Sequence, residues 1–119
     1  MTPLSPRLQL RVKLGELTAF GPGKAELLER IAASGSISAA ARAMRMSYKR
    51  AWQLVDDMNR TFRTPLVKTA AGGSQGGGAA LTVTGTRVLA SYRSLQRLTD
   101  AAARREMAAL GRLLRPSKA

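Results

Sequence analysis

The sequence contains no cysteine and no histidine. Disulfides, thiolate nucleophiles, imidazole bases and the usual transition-metal ligands are excluded together, so no cofactor or metal is expected. No apolar run approaches the length of a membrane span, and the N-terminus MTPLSPRLQL lacks the long apolar core of a secretory signal; no membrane association and a cytoplasmic location follow by default. Acidic residues are also scarce, 7 against 20 basic ones. The adjacent pair Asp56 and Asp57 falls about 100° apart on a helix, which is no geometry for a working acid and base, so an enzyme is not expected. A length of 119 residues suits one domain with a modest core.

What the sequence does have is positive charge, +13 in total, unevenly placed. Residues 1–35 carry 5 basic and 3 acidic side chains, residues 36–83 carry 7 and 2, and residues 84–119 carry 8 and 2. The excess sits in the middle and the tail, where a polyanion can meet it. Charge alone is equally compatible with RNA, an anionic membrane or a nonspecific, nucleoid-associated role.

The stretch Ser36 to Phe62 narrows the choice. It reads as two helices joined by a turn. The first is capped by Ser38, runs through AAARAM and ends near Met44, with Arg45 and Met46 as the turn. Ser47 caps the second, in which Ala51, Val55, Met58 and Phe62 recur at steps of four, three and four. That face packs, which leaves Tyr48, Lys49, Arg50 and Gln53 free at the leading end. A helix fits the major groove of B-DNA and offers base edges the side chains of its N-terminal turns. Trp52 lies between the two faces, and packing against the preceding helix suits it better than DNA contact.

Upstream, Leu8 to Leu14 alternates apolar and polar residues, the period of a half-buried strand. Gly15–Gly21 reads as a connection in which Leu17 and Phe20 plug the core. Pro22 and Gly23 precede a helix over residues 24–34, with Leu27, Leu28 and Ile31 as its buried stripe and Gly35 as its stop. Downstream, Thr64-Pro65 breaks the helical pattern, and residues 65–83 read as a hairpin with a glycine-rich tip. That tip is not a nucleotide-binding loop, because Gly78 is followed by Ala79 and Ala80 instead of Lys and a hydroxyl residue. From Thr84 to Leu114 the spacing predicts one helix of roughly 45 Å. A core this small cannot cover it, so two copies packing this face together are expected. The scarcity of aromatics argues against a membrane-surface helix instead.

The runs SGSISAAARAMRMSYKRAWQLVDDMN and LVKTAAGGSQGGGAALTVTG resemble the N-terminal DNA-binding domain of the molybdate-responsive ModE regulators, itself similar to the winged-helix domain of LysR-type regulators. Ser47-Tyr48-Lys49, Ala51-Trp52, Met58-Asn59 and the glycine-rich tip carry the likeness, which extends over roughly Leu8 to Ala103. It implies a mainly α fold with a small β-sheet, namely a winged helix-turn-helix with a long C-terminal dimerisation helix. It further implies a homodimer through that helix and the N-terminal strand, and an operator in double-stranded DNA as ligand. Members of that family continue into molybdate-binding modules. The present residues end at Ala119, so molybdate sensing is not expected of them.

The residues expected at DNA are therefore Ser38, Arg42, Arg45, Ser47, Tyr48, Lys49, Arg50, Gln53 and Lys68, with Gly73, Ser74, Gln75 and Gly76 at the tip. Lys49 suits a guanine acceptor and Gln53 an adenine edge, while Arg42 and Arg45 flank the turn and suit backbone phosphate.

Overall fold

The computed structural model describes residues 4–70 and 78–116. Its architecture is mainly helical, with two small two-stranded sheets around a three-helix core. The first sheet pairs β1 (Val12–Lys13) with β2 (Ala19–Phe20), Val12 opposite Phe20 and Lys13 opposite Ala19. The strand expected over residues 8–14 thus shrinks to two residues, because its partner offers only two ladder positions. The expected connection itself supplies that partner, and Leu14 N–H donating to Thr18 O at 2.8 Å closes the turn. Phe20 plugs the core at 3% exposure, whereas Leu17 does not: it sits in the turn and is 99% exposed.

Helix α1 (Pro22–Ser34) starts two residues earlier than the spacing predicts. Proline has no N–H to lose in a first turn, so it is accommodated inside the helix. Leu27, Leu28 and Ile31 are completely buried. Gly35 ends the helix in the left-handed region (φ 72°), its N–H returning to Ile31 O at 2.8 Å. Helix α2 (Ile37–Ala43) is capped by Ser36 and not by Ser38: the Ser36 hydroxyl accepts from Ala39 N–H at 3.1 Å. This register puts Ile37, Ala40 and Ala41 on one buried face and leaves Ser38 outside. Helix α3 (Tyr48–Thr61) is capped by Ser47, which accepts from Arg50 N–H at 3.0 Å. Ala51, Val55 and Met58 are buried, and Phe62 is the extended residue that ends the helix, half-buried against the core.

The second sheet is the hairpin of β3 (Val67–Thr69) and β4 (Ala79–Leu81), in register Val67 to Leu81, Lys68 to Ala80 and Thr69 to Ala79. It leads into α4 (Val83–Ala102), capped by Thr82, whose hydroxyl accepts from Gly85 N–H at 3.0 Å. Gly85 is buried against Leu66, so closely that a Cβ there would lie 2.1 Å from the Leu66 carbonyl oxygen. Tyr92 fixes α4 to the first sheet: its ring meets Phe20 edge-on at 5.2 Å and its hydroxyl donates to Leu10 O at 2.5 Å. Burial pushes this phenol above its ordinary pKa, with the nearby Arg93 acting in the opposite direction.

The single helix expected over residues 84–114 is interrupted. Ala103 takes φ −92° and ψ 3°, and α5 (Arg104–Arg112) follows. Bonds from Ala103 N–H to Thr99 O (2.9 Å) and from Met107 N–H to Ala103 O (2.8 Å) carry the ladder past it. The interruption is confined to Ala103, between two helical segments.

Candidate nucleic-acid interface

Helix α3 is divided lengthwise. Its buried side is Ala51, Val55 and Met58, and its leading end exposes Tyr48, Lys49, Arg50, Trp52 and Gln53. Tyr48 is 51% and Trp52 49% exposed, so each leaves about half of its surface open and half covered. The trailing half holds both acids of the helix, and each has its own cation: Asp56 meets Arg60 at 3.1 Å and Asp57 meets Lys24 at 3.2 Å. They point to different partners and do not form a pair.

The leading end has no such compensation. No acidic residue lies in the first turn, and among the described residues neither Lys49 nor Arg50 joins a salt bridge. Two cations at the positive end of a helix dipole oppose it by about 0.3–1 kcal/mol each. An incoming anion meets both charges and the dipole at once, and this end is thereby suited to phosphate.

The turn before α3 is tight. Met44 N–H donates to Ala40 O and Ala41 O, both at 3.1 Å, and Met46 N–H donates to Ala41 O at 3.0 Å. Between them Arg45 adopts φ 56°, the one described non-glycine residue at positive φ. The turn exposes Arg42 and Arg45 beside the leading end of α3. Ser38, Ser47 and Lys68 are exposed as well, Lys68 on the strand that enters the hairpin. Gly73, Ser74, Gln75 and Gly76 lie outside the described residues.

Two residues have structural roles that sequence reasoning missed: Asn59 ties α3 to the hairpin, and Ser36 caps α2. The Asn59 side chain accepts from Leu66 N–H (2.8 Å) and Val67 N–H (3.1 Å) and donates to Val67 O (3.1 Å). A polar residue flanking a packed helical stripe, in the last turn before the chain leaves for the hairpin, was the available signal. The other is Ser36, hidden by a second serine two positions on.

A short turn between α2 and α3, an uncovered leading end and a hairpin bonded to the flank of α3 define a helix-turn-helix domain of the winged kind. The chain belongs to the bacterial regulatory helix-turn-helix proteins of the lysR family, whose model matches residues 23–86. It is 44% identical over 90 residues to the molybdenum transport protein ModE of Azotobacter vinelandii, covering 76% of this chain and 33% of that protein. Against the molybdenum-pterin-binding protein MopB of Rhodobacter capsulatus it is 45% identical over 77 residues, covering 65% and 28%. With the DNA-binding transcriptional dual regulator ModE of Escherichia coli K12 it shares 37% identity over 99 residues, covering 83% and 38%. The chain spans about a third of the length of these curated relatives. Among the described residues no helix is long and apolar enough to cross a membrane.

Proposed function

We propose that the chain is a sequence-specific regulator of transcription, acting in the cytoplasm as a homodimer on an operator in duplex DNA. The observation that carries this reading is the leading end of α3, cationic, free of acid and exposed, on a helix whose opposite side is sealed in the core. The side chains at that end discriminate between bases. Arg42, Arg45 and Lys68 hold phosphates and set position, as do the tip residues Gly73, Ser74, Gln75 and Gly76. The α4–α5 segment favours a dimer: Leu95, Leu98, Leu110 and Leu113 are 41%, 66%, 50% and 83% exposed, and α5 buries no residue within the chain. A dimer presents two copies of α3 to successive major grooves, about 34 Å apart.

Selection from a randomised duplex library, with and without molybdate, tests the proposal. The expected result is a two-fold symmetric consensus that the oxyanion does not alter. Equal binding to random duplex and to single strands overturns it in favour of a nonspecific nucleoid-associated role. On the selected site Lys49→Ala is expected to cost roughly 1–3 kcal/mol with relaxed preference at one base pair. An equal loss on random duplex assigns Lys49 to phosphate.

A further inference from the structure

The hairpin β3–β4 lies on one flank of α3, reached by Asn59. Arg50 is nine residues earlier, and at 3.6 residues per turn the two point to opposite flanks. On the Arg50 flank is an open cleft of about 470 Å³, lined by Arg11, Met46, Arg50 and Leu54 together with Gly21 and Lys24. Lys24 is already engaged, donating to Ala19 O at 2.7 Å and meeting Asp57 at 3.2 Å. Its role is mechanical: one ammonium ties a strand of the first sheet to α3 and so fixes where that sheet stands beside the helix.

Arg11 and Arg50 are different. Both are exposed, and among the described residues neither joins a salt bridge. The Arg11 stem is steadied at Gly21, where its Cγ lies 3.5 Å from the position a Cβ would take. The half-buried Val12 packs on the core, while Arg11 and Lys13 on either side of it are exposed, as alternation along a strand requires.

A helix in the major groove has a sugar-phosphate strand on each side of it. We infer that the Arg11 side of the N-terminal hairpin is a second wing, in which Arg11, with Arg50, grips the phosphates of the strand opposite to the one met by β3–β4. The side expected at the dimer contact is the other one, where Val12 and Leu14 face Val88 and Leu95 of α4. This inference rests on the DNA-binding reading above. It adds to the interface a residue outside the region matched by the family model.

The test compares Arg11→Ala with Arg105→Ala, a control that removes the same charge from an exposed position on α5. Affinity is measured against the selected duplex and a random duplex over a range of salt. Loss of a phosphate contact weakens both duplexes by a similar factor, lowers the salt slope by about 0.9 and removes interference by ethylation of a flanking phosphate. Arg11→Lys restores most of the affinity. Arg11→Gln, which keeps the stem over Gly21, reports the same loss should alanine loosen the hairpin. An Arg11→Ala protein indistinguishable from Arg105→Ala overturns the second wing and leaves the proposed function standing. Loss confined to the selected duplex overturns it too, since Arg11 then reads a base. A wild-type protein without preference for the selected duplex instead refutes the proposed function itself.

Discussion

The three-helix core and the C-terminal helices use leucine in opposite ways. In α1, Leu27 and Leu28 are wholly enclosed by the chain's own packing; in α4 and α5, Leu98 and Leu110 are at least half open. One half closes on itself, and the other leaves apolar surface open, which the proposed dimer would cover. An apolar stripe therefore says that a helix will be covered, and only the depth of the surrounding fold says whether its own chain covers it.

The sharpest way to break this contrast is to make one substitution in both halves. Leu28→Ala is expected to lower folding stability by about 2–5 kcal/mol in urea titration. Leu98→Ala should leave monomer stability nearly unchanged and weaken self-association in sedimentation equilibrium. Equal losses of monomer stability would dissolve the distinction. Where the halves join, Gly85→Ala forces a Cβ against the Leu66 carbonyl. About 1–3 kcal/mol or more of overpacking cost is expected, read as a lower midpoint of unfolding.

Next in size is Asn59→Ala, which removes three hydrogen bonds and strands the amides of Leu66 and Val67. The expected cost is about 1–3 kcal/mol, with hydrogen exchange rising first at those two amides. The smallest effect has the opposite sign. Arg45→Gly relieves a left-handed backbone and should stabilise the fold by up to about 1 kcal/mol, while duplex affinity falls. A variant that gains stability without losing affinity would remove Arg45 from the interface.

The helix-turn-helix was largely legible because its signals are local. Ser47 is a cap with apolar residues at steps of four, three and four behind it, and the helix forms where those residues fall. The other cap was ambiguous because Ser36 and Ser38 both precede an alanine run, and only the burial of Ile37 chooses between them. The N-terminal strand was misjudged in length because alternation reveals a face but not the partner that must pair with it. Leu17 misled by composition: an apolar residue in a five-residue turn has no core within reach. Arg45 gave no warning of its backbone, since the sequence places no glycine there, and Ala103 is a good helix former at the point where the helix is interrupted. Among the proposed DNA-contacting residues, those on the recognition helix could be read from its free face. Arg11 could not, because its proximity to Arg50 arises only from the tertiary fold.

The Gly35 carbonyl accepts from Ala79 N–H at 2.8 Å, so the junction entering the helix pair holds the returning strand of the hairpin. Asn59 holds the outgoing strand. Fastened at both roots, the hairpin is coupled to the helix pair, so that any change in the tilt of α3 carries both of its strands along.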